Sequence, residues 1–281
     1  MKFTKMHGIG NDFVVVDATG KDSARLFAES KERSVFLCDR KFGVGADGVI
    51  TVLPGSDARF EMRMFNPDGS EAEMCGNGIR CFAKYIFDSG LSTDTTLSVK
   101  TGAGILLTDA TIVDGKVAMV KVNMGPAILD RHLVPVDLKD GGSGPVISSP
   151  LEVLGSTYKV TTVSMGNPHC VVFVDNVEDF PLADVGPAFE RHWAFPRRTN
   201  TEFVQIISDS EVRMRVWERG AAETLACGTG ACATGVASAL NGHTGRDVLV
   251  HLAGGDLQIS WKSDGRVEMT GPAETVFDGD I

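Results

Sequence analysis

The feature that most constrains this chain is that it writes one cysteine-tipped turn twice, as "MCGNGIRC" over 74–81 and as "ACGTGACA" over 226–233. Other landmarks recur around the two turns in the same order. "GNDFVVVD" (10–17) is echoed by "GNPHCVVFVD" (166–175), each a Gly-Asn turn beside a valine-rich run. Asn11 precedes Cys75 by 64 residues and Asn167 precedes Cys227 by 60. "RKFGVGADG" (40–48) and "FPRRTNTEF" (195–203) lie in between, and polar strand exits follow, "FNPDGSEAEM" (65–74) and "VWERGAAETLA" (216–226). Asn66 and Glu218 each stand nine residues before their cysteine. Shared order at nearly constant spacing points to a duplicated domain rather than a coincidence among the 32 glycines. We expect an N-terminal domain over 1–125, completed by a strand near 270–281, and a C-terminal domain over 126–269. The boundary is sought near 97–129 or in the Gly/Ser/Pro-rich 139–150, an exposed turn by composition.

Periodicity supplies the elements. Ile79, Phe82, Ala83, Ile86 and Phe87 recur at helical spacing behind Cys75, and Gly90 stops the run. "ACATGVASALNG" behind Cys227 is nearly apolar all round, as a helix buried on every side should be. A further helix is expected over 22–39. Elsewhere short alternating strands dominate, such as "RFEMRMF", "KVAMVKV", "EVRMRVW" and "LQISW". The expected fold is α/β (α+β): two pseudo-symmetric domains, each a central helix wrapped by mixed or antiparallel β-structure, with the active site in the cleft between them.

Composition narrows the partners. With 43% hydrophobic and 23% charged residues the chain has ordinary globular make-up. A net charge of −10 with no basic run argues against nucleic acid and anionic membranes, though not against an anionic substrate at a locally positive site. Apolar runs such as "FVVV" are strand-sized, no signal or transit segment opens the chain, and a cytoplasmic location is expected. The six cysteines are too sparse for a secreted disulfide framework and contain no Cys-x-x-Cys pair, so no metal site is expected.

A helix N-terminus presents unpaired N–H groups and roughly half a positive charge, which stabilises a thiolate and can hold a carboxylate. Neither turn has the Lys-Ser/Thr ending of a phosphate loop, and Gly76-x-Gly78 lacks the third glycine of a dinucleotide fingerprint. Inverting a tetrahedral carbon needs a base on one face and an acid on the other. Two such cysteines, one thiolate and one thiol, supply both, and the helix mouths stabilise the charge that develops on proton abstraction. Taken singly, each cysteine reads as a buried structural thiol; the repeat reverses that preference. No cofactor is expected.

The stretches "MHGIGNDFVVVD", "FNPDGSEAEMCGNGIRCFAKY", "VSMGNPHCVVFV", "RTNTEFV", "RVWERGAAETLACGTGACA" and "MTGPAE" together resemble the diaminopimelate epimerase family along the full chain. Proline racemase-like proteins share the fold and paired cysteines but not the whole set. The resemblance implies a cofactor-free two-base epimerase interconverting LL- and meso-diaminopimelate in lysine and peptidoglycan precursor synthesis, and a homodimer. By the same resemblance Cys75 and Cys227 are the acid/base thiols, with Cys75 the thiolate toward the LL substrate. Gly76 and Asn77, with Gly228 and Thr229, form the carboxylate cradle. Asn11, Asn66, Asn167, Asn200, Glu218 and Arg219 hold the substrate, whose distal end is a zwitterion, and His169 and Glu218 tune the thiols.

Two positions depart from the family pattern. Gly48 follows Asp47 where many members have Gln, a form similar to the plant and cyanobacterial branch. Phe277 stands where some members carry Tyr at the dimer contact. Cys38, Cys81, Cys170 and Cys232 read as buried apolar residues, and Asp12, Asp47 and Asp68 as turn residues that brace the backbone. Two other readings stay open: a proline or hydroxyproline racemase-like enzyme, and a non-catalytic redox or binding module.

Overall fold

The computed structural model describes all residues, 1–281. The chain folds as two units, Met1–Asn123 with Thr270–Ile281, and Met124–Met269. The first unit opens with the antiparallel pair β1 (Lys2–Gly8) and β2 (Asn11–Asp17), joined by a two-residue turn in which Ile9 and Gly10 both have positive φ. α1 (Ser23–Cys38) leads to β3 (Gly48–Pro54), which lies parallel to β2 with Phe13 opposite Gly48. β4 (Phe60–Phe65) and β5 (Glu71–Ala72) form a hairpin that delivers the chain to α2 (Gly76–Asp88). β6 (Thr96–Thr101) runs parallel to β4 and starts an antiparallel meander through β7 (Gly104–Val113) to β8 (Lys116–Pro126).

The second unit repeats these pairings. β9 (Ser149–Val153), β10 (Ser156–Ser164) and β11 (Pro168–Phe173) are antiparallel neighbours. After α3 (Leu182–Glu190), β12 (Asn200–Ile206) lies parallel to β11 with His169 opposite Asn200. β13 (Glu211–Glu218) and β14 (Ala222–Thr224) make the hairpin before α4 (Gly228–Leu240). β15 (Asp247–Leu252) is parallel to β13, then come β16 (Gly255–Trp261) and β17 (Arg266–Gly271). The last strand, β18 (Glu274–Asp280), belongs to the first unit and pairs antiparallel with β1.

The duplication is therefore a property of the pairing and not only of the letters. α2 and α4 each have 13 residues, and every position of one corresponds to the other at an offset of 152. Val49 faces Phe65 as Thr201 faces Trp217, and Arg63 is ion-paired to Glu71 across its hairpin as Arg215 is to Glu223. The copies have diverged inside the helices. α2 buries Arg80 and Lys84 where α4 has Cys232 and Val236. Burying a charge is costly unless it is bonded. Arg80 donates to the carbonyls of Gly76 and Pro272, and Lys84 to that of Val117 while pairing with Asp88 at 2.9 Å.

The expected helices behind both cysteines and over 22–39 are present. α3 was not legible: it is short, and its Gly186 and Pro187 read as breakers. The glycine is there because a Cβ would sit 2.6 Å from the ring of Trp217. No helix is long and apolar enough to cross a membrane.

Candidate active site

In the first unit Cys75 has extended backbone geometry and caps α2, its Sγ accepting from the Gly78 N–H at 3.4 Å. The same thiol donates toward Asn11 Oδ1, 3.6 Å away at the start of β2, and Asn77 Nδ2 donates to that oxygen at 3.2 Å. The other end of the Asn11 amide is taken up as well, with Nδ2 donating to Asp47 Oδ2 at 2.8 Å. Asp47 and Asp12 each accept a backbone N–H from the other at 3.1 Å, and Arg40 bridges both carboxylates at 2.7 and 2.8 Å. Lys5 adds a second cation on Asp12 at 2.6 Å. Burial pushes the Asp12 carboxyl up, but bonds to Arg40 and Lys5 outweigh it and hold it well below the usual range. Asp12 and Asp47 thus brace backbone, as their sequence setting implied, and also form an ionic cluster that it did not. Asp68 accepts only from the backbone and hydroxyl of Ser70.

The second unit surrounds its thiol differently. Cys227 caps α4 and is 5% exposed, with Sγ 3.6 Å from the Thr229 hydroxyl. Asn167 Nδ2 donates to that hydroxyl at 3.3 Å, and Asn167 Oδ1 meets His169 Nε2 at 3.0 Å. His169 Nδ1 lies 2.7 Å from Glu202 Oε1, and both side chains are wholly buried. A continuous relay thus runs Glu202–His169–Asn167–Thr229–Cys227. Glu218, at the end of β13, accepts from the Thr224 hydroxyl. Burial raises its carboxyl above the ordinary value, although the Thr224 and Cys227 side chains pull it down. Burial, then the charges of Glu218 and Glu202, push the Cys227 thiol well above its ordinary value. At rest Cys227 is a protonated thiol.

Both turns are tight around their second glycine, the second turn more so. A Cβ at Gly78 would lie 3.2 Å from Ile50 Cδ1, and one at Gly230 would lie 2.7 Å from Glu202 Oε1 and 3.2 Å from Cys227 Sγ. Gly48 is a similar case: a Cβ there would meet Met64 Cε at 2.8 Å and the Phe65 carbonyl oxygen at 3.1 Å. The parallel registers make Gly48 the counterpart of Asn200.

The remaining candidates lie at varied distances from these clusters. Asn200 is buried with Nδ2 on the Pro168 carbonyl at 3.0 Å, and its Oδ1 accepts the Arg219 backbone N–H at 2.8 Å. Its amide therefore holds the Glu218–Arg219 turn. The Arg219 guanidinium donates to the Arg197 carbonyl at 3.1 Å. Asn66 is engaged inside its own turn, Nδ2 to Ser70 Oγ at 3.0 Å. Phe277 is on β18 opposite Lys5 of β1, with its ring edge-on to Phe3 at 6.0 Å. Cys38, Cys81, Cys170 and Cys232 are buried, and burial pushes the Cys38 thiol up to about 11 and the Cys81 thiol up to about 12. Sequence reasoning passed over Glu202 and Thr224, and saw in Asp47 only a turn residue. Glu202 had a signal: a lone carboxylate inside the apolar strand "NTEFV" must have a buried partner.

The sequence model of the family described as diaminopimelate epimerase matches residues 3–129 and 161–276. The chain is 54% identical to the diaminopimelate epimerase of Moorella thermoacetica, covering 100% of this chain and 99% of that one. It is 52% identical to that of Methanococcus maripaludis strain C5, with the same coverage. Among solved structures it resembles a probable proline racemase from Agrobacterium radiobacter at TM-score 0.70 and 16% identity, covering 100% and 92% of the two chains. That likeness speaks to the fold alone. With the family pattern running through both copies of the repeat, the chain belongs to the diaminopimelate epimerase family.

Proposed function

We propose that this chain interconverts LL- and meso-diaminopimelate by a cofactor-independent two-base reaction, in lysine and peptidoglycan precursor synthesis. The observation that carries the reading is the pair of thiols, each capping a matched helix but in chemically unequal surroundings. Burial and the charges of Glu218 and Glu202 favour the thiol form at Cys227, whereas Cys75 has the Asn11 carbonyl oxygen and the Gly78 N–H beside it. Toward the LL substrate, the Cys75 thiolate takes the α-proton and the Cys227 thiol delivers one to the opposite face. The product leaves with Cys75 as thiol and Cys227 as thiolate, so the reverse reaction exchanges the roles. Between the two transfers the negative charge is spread into the substrate carboxylate. The N–H groups of Gly76, Asn77, Gly228 and Thr229 are the donors that stabilise it there.

His169 and Glu218 tune the Cys227 side, Glu218 by charge and His169 through Asn167 and Thr229. Asn11, Asn66, Asn167, Asn200, Glu218 and Arg219 hold the remainder of the substrate, with Arg219 on the distal carboxylate. The "FGVGADG" form around Gly48 supports a place near the plant and cyanobacterial branch. The half-exposed Val276 and Phe277 on β18 support a homodimer that covers this apolar edge, in a cytoplasmic protein.

Deuterium uptake from solvent tests the chemistry. Protein dialysed against chelator and treated with a carbonyl reagent should place one solvent deuteron at the inverted α-carbon. Cys75→Ala and Cys227→Ala, shown folded by circular dichroism, should each abolish epimerisation. Near wild-type turnover by either variant sinks the two-base reading, and turnover of proline or hydroxyproline in place of diaminopimelate sinks the substrate.

A further inference from the structure

The duplicated asparagines of the two units are pinned in opposite orientations. Asn11 turns its carbonyl oxygen to the thiol side, where it faces Cys75 Sγ at 3.6 Å and Asn77 Nδ2 at 3.2 Å. Asn167 turns its NH2 to the thiol side, donating to Thr229 Oγ1 at 3.3 Å. Thr229 and Asn77 are counterparts at the offset of 152. An amide has one acceptor end and one donor end, so whichever group holds the far end decides what the near end offers. In the second unit the far end meets the imidazole of His169 at 3.0 Å. The first unit has Phe13 at the counterpart of His169, and a phenyl ring can hold nothing there. Instead the far end is held by Asp47, a carboxylate that can only accept and therefore demands the NH2.

We propose that Asp47 is a positioning residue for the reaction: by fixing the Asn11 amide, it presents an acceptor to Cys75 and sets how readily that thiol gives up its proton. An acceptor 3.6 Å from Sγ favours the thiol, whereas the Gly78 N–H at 3.4 Å favours the thiolate. A group that must take a proton in one direction and return it in the other is served by contacts of both kinds. Arg40 completes the lock. It bridges Asp47 to Asp12, and Asp12 is tied in turn to Lys5, so the carboxylate cannot swing away without breaking several charge-assisted bonds. Within this unit the charged and titratable groups around the pair include Asp12, Asp47, Arg40 and Lys5 on the β1, β2 and β3 side, and Cys38 at the end of α1. On α2 they are Arg80 and Cys81. Of these, it is Asp47 that takes the bond from the Asn11 amide nitrogen.

The proposal rests on Cys75 being a reacting thiol, and its test avoids turnover so that the two ideas can fail separately. Iodoacetamide alkylation of Cys75, located by mass spectrometry, is followed against pH in the full chain carrying Asp47→Asn, Asn11→Ala, or both. With the lock gone the Asn11 amide can turn its NH2 to the sulfur, so Asp47→Asn should speed alkylation at neutral pH by about threefold or more and move the pH midpoint down. Removing a negative charge does the same without any amide, and the Asn11→Ala background separates the two effects. There Asp47→Asn should change the rate by less than about half as much. An equal factor in both backgrounds, or no change in either, overturns the proposal. Should Asp47→Asn fail to fold, Asp47→Ala removes the acceptor altogether and runs through the same cycle. Asp47→Glu, which keeps a carboxylate, should restore most of the wild-type pH profile.

Discussion

Glu218 shows at the scale of one residue how burying a carboxylate costs stability. Its carboxyl is held above the ordinary value by burial, so between that value and the raised one the folded chain binds more protons than the unfolded chain. Stability then falls as pH rises through that window, and the loss persists at neutral pH. Glu218→Gln keeps an oxygen for the Thr224 hydroxyl but removes the charge. It should raise the melting temperature at neutral pH by on the order of a few degrees, with the gain vanishing in acid, while epimerisation drops. A melting temperature that falls, or a gain that survives in acid, counts against the buried charge as the cause. Arg219 is the opposite case, an outlying cation with its guanidinium on a backbone carbonyl. If it grips the distal carboxylate, Arg219→Ala should cost about 3 kcal/mol or more in kcat/KM, and Arg219→Lys should recover only part of it. Equal losses on diaminopimelate and on an analogue trimmed at its far end would make it a structural residue. The position of both thiols at helix mouths was legible in the repeated, punctuated motifs, whereas His169 and Glu218 were picked out only through the family resemblance. Glu202 was not, because its significance lies in a contact with His169 across two strands. The role of Asp47 was not, because its partner Asn11 is 36 residues away.

Among elements, the two helices carry the candidate thiols at their N-caps, and their glycines are where sequence and packing agree most closely. Gly230→Ala places a methyl against Glu202 Oε1 and Cys227 Sγ, and the carboxylate is held where it is by His169 at 2.7 Å. Overpacking of this kind should destabilise by about 1–3 kcal/mol. Activity should fall further than stability does, by about 100-fold, because the thiol is displaced from its line of attack. A variant that melts early yet keeps full kcat would show that the turn tolerates displacement. α2 and α4 were readable from their caps and apolar spacing, although only α4 is apolar throughout. The Arg80 and Lys84 of α2 break the stripe at positions where sequence periodicity cannot distinguish a solvated cation from one bonded inside. α3 escaped because Gly186 serves the ring of Trp217 and not a turn.

Over the whole molecule, the repeat pointed to two units, each with a central helix wrapped by β-structure, and the parallel pair and hairpin that both share are seen only in the strand pairing. Assembly beyond one chain is testable at β18. Phe277 is 47% exposed and Val276 is 54% exposed. Phe277→Asp should convert a dimer to a monomer in sedimentation; a wild-type monomer at the same concentration would remove the basis for that expectation. The placement of β18 also has a consequence for the order in which the protein is made. β1 acquires its outer neighbour only after all of Met124–Met269 has been synthesised. At translation speeds of about 5–20 residues per second, that leaves a strand edge bare for roughly 7–30 s. A bare edge invites pairing with other chains, and the exposed Lys2 on β1 is of the residue type that discourages it. On the ribosome, the first unit to emerge is thus the last to be closed.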